Sequence, residues 1–152
     1  MDALDNVEKI LVYAIEREIE SAQFYTNLAA RTENPTMQQV FRDFAREEGG
    51  HKAKLIAIKE GKLMPSFAPG KVKDLKIADY VVDVVPSPDM SYQQALILAM
   101  KKEKASFMLY SDLAESTDNE QLRGTFLILA QEEARHKLRF EIEYDENVLT
   151  EN

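Results

Sequence analysis

Cysteine and tryptophan are absent from this 152-residue chain, and histidine occurs only twice. The absence of cysteine excludes disulfides, thiolate metal ligands and thiol nucleophiles, so any metal site must use oxygen and nitrogen ligands. Glycine and proline are also scarce, at five residues each, which leaves few residues that interrupt helices. The chain is therefore expected to be largely helical.

Positive charge is in short supply as well. The chain has 19 Lys and Arg against 27 Asp and Glu, a net charge of −8, and it has no basic run. We therefore expect no nucleic-acid partner. No apolar run approaches the ~18 residues of a membrane span, and no basic segment with an apolar core opens the chain as a secretory signal would. These features predict a cytoplasmic protein with no membrane partner, folded as one domain over residues 1–152.

Apolar residues recur at helical spacing in four long stretches. The predicted helices span about residues 5–32, 35–60, 91–117 and 118–146. The connection at 62–90 holds four of the five prolines and an apolar run, Asp74 to Val85, that we expect to include a short helix. Two short turns and one long crossover between the second and third helices predict an all-α antiparallel four-helix bundle.

Capping signals mark the predicted helix ends. Asn34-Pro35 is typical of an N-cap followed by the proline favoured at the first helical position. Gly61 suits the left-handed residue that closes a helix. The pairs Ser91 with Gln94 and Thr117 with Glu120 match capping boxes and are expected to open the third and fourth helices.

The chain also repeats itself. Residues 14–29 align without a gap on 99–114, and residues 41–52 align on 126–137. Both alignments share one offset of 85 positions, which carries Glu18 to Glu103, Glu48 to Glu133 and His51 to His136. Each half is therefore predicted to be one αα-hairpin, and the repeat predicts two-fold related ligands.

Both histidines follow a glutamate by three residues, in Glu48-Gly-Gly-His51 and Glu133-Ala-Arg-His136. Residues three apart share a helix face, so each pair points the same way. The predicted inward faces are apolar except near mid-helix. The polar residues there are Glu18, Glu48, His51, Glu103, Ser106, Glu133 and His136.

Four carboxylates at the centre of a bundle are not stable as bare anions, because burying an unpaired charge costs several kcal/mol or forces protonation. Two divalent cations would balance the charge. Carboxylate and imidazole without thiolate suit iron or manganese, and zinc would also be accepted. Either Glu-x-x-His pair alone is better explained as an exposed polar pair, but the combination predicts a dinuclear metal site.

This ligand set, one Glu from each of two helices and Glu-x-x-His from the other two, resembles that of the ferritin-like di-iron carboxylate superfamily. Within it, residues 5–145 are most similar to the rubrerythrin family. The motifs that carry the likeness are Glu18 with Tyr25, Ala45-Arg-Glu-Glu48-x-x-His51, and Ala130-Gln-Glu-Glu133-x-x-His136. The resemblance implies that Glu48 and Glu133 bridge two iron ions. It also implies four terminal ligands: Glu18, Glu103, His51 and His136.

By the same resemblance, the protein would reduce hydrogen peroxide, or oxidise ferrous iron with oxygen or peroxide, in the response to oxidative stress. The six ligands would be the catalytic residues. A homodimer is also implied, and the apolar run Ile77 to Val85 could pack across it. Tyr25 and Tyr110 lie one heptad from ligands, where they would either hydrogen-bond to a carboxylate or pack in the core.

Two features depart from the rubrerythrin pattern. Without cysteine there is no rubredoxin site, so electrons must come from an external donor, either rubredoxin-like or a reductase. The extra glutamate that rubrerythrins carry on the third helix, associated with ligand exchange, is also missing. Its neighbourhood holds Ala99, Met100, Ser106 and Phe107. Three alternatives stay open: a ferritin-type iron-handling protein or ferroxidase, a manganese catalase-like enzyme, and a metal-free helical adaptor.

Overall fold

The helices begin and end within a few residues of their predicted positions. A computed structural model describes residues 3–61, 80, 82, 87 and 89–149, with side chains described over 8–61, 80, 82, 87 and 89–147. The helices are α1 (Ala3–Arg31), α2 (Pro35–Lys59), α3 (Tyr92–Ser116) and α4 (Glu120–Tyr144), followed by a π-helical turn, Asp145–Leu149. Every regular element in the described part of the chain is helical, which confirms the all-α class.

Two compact units make up the chain, Met1–Lys73 and Asp74–Asn152. In the first unit α1 packs along α2, and in the second α3 packs along α4. Each pair is joined by a three-residue turn, at 32–34 and 117–119. The chain thus contains the two predicted αα-hairpins, which is consistent with a four-helix bundle. None of the described helices is long and apolar enough to cross a membrane.

Most of the predicted crossover, including the expected helix within 74–85 and the dimer contact of Ile77 to Val85, lies outside the described residues. Tyr80 is an exception. Its side chain is buried, and its hydroxyl donates a 2.7 Å hydrogen bond to Asp112 Oδ2 on α3.

Three of the four predicted caps are confirmed. The Asn34 side chain accepts from the Met37 amide, and Gly61 has a φ of 83°. The third is the capping box at the start of α3. The Ser91 hydroxyl accepts from the Gln94 amide, and the Gln94 side chain accepts from the Ser91 amide. Side-chain acceptors thus satisfy amide donors that the first turn of each helix leaves without a helical partner.

The predicted capping box of Thr117 with Glu120 is wrong. The residue that caps α4 is Asn119, whose side chain accepts a 2.8 Å hydrogen bond from the Leu122 amide. Thr117 instead follows the last residue of α3, and its hydroxyl accepts from the Asn119 amide at 3.2 Å. The fourth helix therefore begins at Glu120, two residues later than predicted. An Asx cap is favoured because its side-chain oxygen reaches the third amide of the helix without strain.

The predicted inward positions of α2 and α4 are all buried. They are Met37, Phe41, Phe44, Glu48, His51, Leu55 and Ile58 on α2, and Leu122, Phe126, Leu129, Glu133, His136 and Phe140 on α4. On α3, Tyr92 and Ser106 are only half-buried. Helical spacing therefore located the core correctly, and the half-buried positions mark the edges of the buried face.

Two adjacent glycines, Gly49 and Gly50, lie in the middle of α2 between two predicted ligands. Both are exposed, and a Cβ atom added to either meets no described heavy atom within 4 Å. Because alanine loses less backbone entropy in a helix, Gly49→Ala and Gly50→Ala should each raise the free energy of unfolding by up to about 1 kcal/mol. Urea denaturation of the metal-free protein measures this.

Gly61 is the matched control for these substitutions. Its φ of 83° lies in the left-handed region, so Gly61→Ala should lower the free energy of unfolding by about 1–2 kcal/mol. A loss of stability at Gly49 or Gly50 would contradict the prediction and would show that this face of α2 must be free of side chains.

Candidate metal centre

The first hairpin brings three of the predicted ligands together. Glu18 lies on α1, and Glu48 and His51 lie one turn apart on α2. The Nδ1 atom of His51 is 3.5 Å from Glu18 Oε1 and 3.5 Å from Glu48 Oε1. All three side chains are at most 2% exposed. The i, i+3 spacing on α2 and the packing of α1 against it thus converge two carboxylates and one imidazole in the interior.

The second hairpin repeats this arrangement. Glu103 lies on α3, and Glu133 and His136 lie on α4. The Nδ1 atom of His136 is 3.6 Å from Glu103 Oε1 and 3.7 Å from Glu133 Oε1, and the three side chains are at most 1% exposed. The equivalent distances in the two hairpins agree within 0.2 Å, so the internal repeat extends to side-chain geometry.

The spacing within each triad of two glutamates and one histidine fits a metal ion. Separations of 3.5–3.7 Å are longer than the 2.7–3.2 Å of a normal N–H···O hydrogen bond. Ligand atoms that share one ion at about 2.0–2.2 Å lie about 3–4 Å apart, because the ion separates them. In each hairpin the three residues offer ligand atoms within 4.8 Å of one another.

The charge of each triad leads to the same interpretation. Two buried carboxylates carry −2 when ionised, and a metal-binding imidazole is neutral. One divalent cation per hairpin would cancel that charge. Oxygen and nitrogen donors without sulfur suit iron, manganese or zinc. The buried carboxylate and histidine residues therefore suggest a metal site, and the assignment of each residue as a ligand stays a prediction.

The two tyrosines that lie one heptad from predicted ligands, Tyr25 and Tyr110, are both in the interior. Tyr25 is fully buried and makes aromatic contacts with Phe24 and Phe44, at centroid distances of 5.7 and 6.3 Å. Tyr110 is 1% exposed. Core packing of Tyr25 is therefore observed, whereas hydrogen bonding of either tyrosine to a ligand carboxylate stays a prediction.

Sequence reasoning missed one buried carboxylate, Glu143 on α4. Its two oxygens accept hydrogen bonds from the Tyr92 hydroxyl at 2.6 Å and from the Asn147 side-chain amide at 2.5 Å. Burial raises the pKa of the Tyr92 hydroxyl well above its usual value, and Glu143 raises it further. Because protein donors satisfy both oxygens, Glu143 has a structural role. The internal repeat indicated that position 143 is buried, because it aligns Glu143 with Ile58, which is buried.

Comparison with known proteins agrees with these observations. The family model described as rubrerythrin matches residues 9–80 and 94–152, which include all six predicted ligands. No curated protein and no solved structure gives a significant match. The matched segments cover most of both hairpins, and each contains one complete Glu, Glu and His triad. The chain therefore belongs to the rubrerythrin family.

Proposed function

We propose that this protein is a non-haem di-iron oxidoreductase in which the two triads together hold two iron ions. Glu48 and Glu133 would bridge the ions, as the family resemblance implies. The terminal ligands would be Glu18, Glu103, His51 and His136. The observation that carries the proposal is the occurrence of the same buried triad, with the same spacing, in both hairpins of a rubrerythrin-family chain.

The iron ions would supply reversible one-electron chemistry at a site that combines carboxylate and imidazole ligands. The proposed reaction is the two-electron reduction of hydrogen peroxide, in which one peroxide, two protons and two electrons give two waters. Ferrous iron presented as a substrate could provide the same two electrons and be oxidised to two ferric ions. Otherwise an external donor, rubredoxin-like or a reductase, provides them, because the chain has no cysteine with which to hold an electron-transfer iron.

The protein's own residues contribute charge balance, orientation and exclusion of water. The carboxylates offset the charge of the cations, and the i, i+3 spacing fixes each histidine beside its glutamate. The triads are at most 2% exposed, which keeps bulk water from competing for ligand positions. We further propose that Tyr25 and Tyr110 hydrogen-bond to ligand carboxylates and hold their orientation.

The residues around the missing glutamate of the third helix affect the expected rate of peroxide reduction. Ala99 is buried, Met100 and Ser106 are half-buried, and Phe107 is 40% exposed. None of these four side chains carries a carboxylate. We therefore propose that the centre works with a fixed ligand set, and that its peroxide reduction is slower than in rubrerythrins that carry the additional glutamate.

Peroxide consumption by the iron-loaded protein tests the proposed activity. With a chemical reductant supplied, the protein should consume one peroxide for every two electrons, and Glu133→Gln should abolish this turnover. Glu132→Gln is the matched control, because Glu132 is the preceding residue, is only half-buried and is not a predicted ligand. Its turnover should equal that of the unaltered protein.

Other outcomes of this experiment would identify the alternatives. Oxygen evolution from peroxide without a reductant would indicate a catalase-like enzyme. Stoichiometric oxidation of added ferrous iron, without turnover when a reductant is supplied, would indicate iron handling. Absence of bound iron, manganese and zinc after loading near neutral pH would overturn the metal site and favour a metal-free helical adaptor.

A further inference from the structure

Helix α4 has a second apolar face, separate from the one that carries its ligands. Leu127, Ile128, Leu138 and Ile142 are between 42% and 55% exposed. At 100° per residue, all four lie at least 120° from Glu133 around the helix. Buried Glu133 is on the inner side of α4, so these four side chains form a stripe on its outer side.

The internal repeat provides a reference for this stripe. At the offset of 85 positions, the four stripe residues correspond to Arg42, Asp43, Ala53 and Ala57 on α2. The first hairpin therefore folds with charged or small residues where the second hairpin has large apolar ones. Folding of the hairpin does not require the stripe, and exposed apolar patches of this kind usually mark interaction surfaces.

The stripe is complementary to itself when two copies run antiparallel. A two-fold axis level with residue 133 places Ile128 opposite the partner's Leu138, and Gln131 opposite the partner's Arg135. It also places Ile142 opposite the partner's Gly124. Gly124 has no described heavy atom within 4 Å of an added Cβ, so the partner's Ile142 can approach its backbone closely. In these three pairs large faces small, apolar faces apolar, and an amide faces a guanidinium, while Leu127, the fourth stripe residue, lies level with the partner's Arg139.

Two alternative pairings lack this complementarity. In a parallel pairing, or with the axis moved to residue 135, each Arg135 would face the partner's Arg135, and like charges in contact repel. We propose that the outer face of α4 is a homodimer interface in which two α4 helices pack antiparallel about an axis level with residue 133. This proposal is independent of the metal centre, because none of the stripe residues is a predicted ligand.

Oligomeric state in solution tests the interface. The purified protein should have twice the 17.4 kDa chain mass by size-exclusion chromatography with light scattering. Leu138→Glu should halve that mass, because it places a charge against the partner's Ile128. Ala53→Glu is the matched control at the equivalent exposed position of the first hairpin and should stay a dimer. A monomeric unaltered protein, or a dimer that Leu138→Glu leaves intact, would overturn the proposal.

Disulfide cross-linking tests the register and does not depend on a destabilising charge. The chain lacks cysteine, so Ile128→Cys and Leu138→Cys each introduce a single thiol. A mixture of the two variants should form a cross-linked dimer under mild oxidation, because the paired positions are adjacent. Ile128→Cys alone should not, since two copies of residue 128 are about 15 Å apart along the axis, beyond the roughly 7 Å limit of a disulfide. Equal cross-linking in both experiments would overturn the register, and no cross-linking in either would overturn the interface.

Discussion

Glu133→Ala should release both metal ions from the protein together. If Glu133 bridges the ions, its loss removes a ligand from each of them, and the metal content should fall from about two ions per chain to a small fraction of one. Elemental analysis after iron loading and desalting measures this directly. Glu18→Ala, which removes a terminal ligand of one ion, should leave more metal bound than Glu133→Ala does.

The control for this loss is Glu132→Ala, one residue earlier on α4. Glu132 is half-buried whereas Glu133 is 1% exposed, so a general effect of removing a carboxylate from this helix would appear in both variants. Full metal content in Glu133→Ala would show that Glu133 is not a ligand. Retention of one ion at full occupancy would show that it is a ligand but not a bridge.

Removal of metal by a chelator should lower the melting temperature by about 8–16 °C for each ion that the chain holds. A metal bound only by the folded state stabilises it by about 4 kcal/mol when free metal is a thousandfold above the dissociation constant. For a chain of this length, each kcal/mol corresponds to about 2–4 °C. Calorimetry of the loaded and chelated protein measures the difference, and restored iron should reverse it. An unchanged melting temperature would contradict metal binding by the native state.

The change in melting temperature caused by Glu133→Gln should have opposite signs in the loaded and the metal-free protein. In the loaded protein the substitution removes a ligand and should lower the melting temperature. In the metal-free protein it removes one of two buried carboxylates that lie close together, and the melting temperature should rise. A lower melting temperature in both states would indicate that Glu133 stabilises the fold through protein contacts and not through a metal.

Helical periodicity located most of the core and, together with the Glu-x-x-His spacing and the internal repeat, the candidate centre. Every inward position predicted on α2 and α4 is buried, because a helix with one apolar face has only one way to remove it from water. The glutamates and histidines were recognisable because they interrupt that face at mid-helix. Which atoms of the carboxylates would contact a metal does not follow from spacing, since it depends on side-chain rotamers that distant residues determine.

The predicted start of α4 was wrong, although the internal repeat indicated the correct cap residue. Thr117 and Glu120 match a capping box, but the repeat aligns Asn119 with Asn34, the cap of α2. The two turns also share a further contact. The side chains of Gln38 and Arg123, at equivalent positions, donate to the carbonyls of Thr32 and Thr117. A local motif was therefore a weaker guide than the internal repeat.

Glu143 was missed because a carboxylate has no apolar signature, although the repeat aligns it with Ile58, a predicted inward position. It is stable in the interior because Tyr92 and Asn147 donate to its two oxygens, and Tyr92 is 51 residues away along the chain. Hydrogen-bond partners at such distances depend on the packing of the hairpin, so sequence spacing could not predict them.

The three-residue turns have a consequence for the order of assembly during synthesis. Each triad lies within one contiguous segment, 18–51 or 103–136, so its ligands meet once a single hairpin has formed. Contacts between residues close in sequence form early, because little chain entropy is lost in closing a short loop. On the proposed function, the first hairpin therefore brings its three ligands together on the ribosome before the second hairpin has been translated, and stable iron binding begins only once Glu133 is in place.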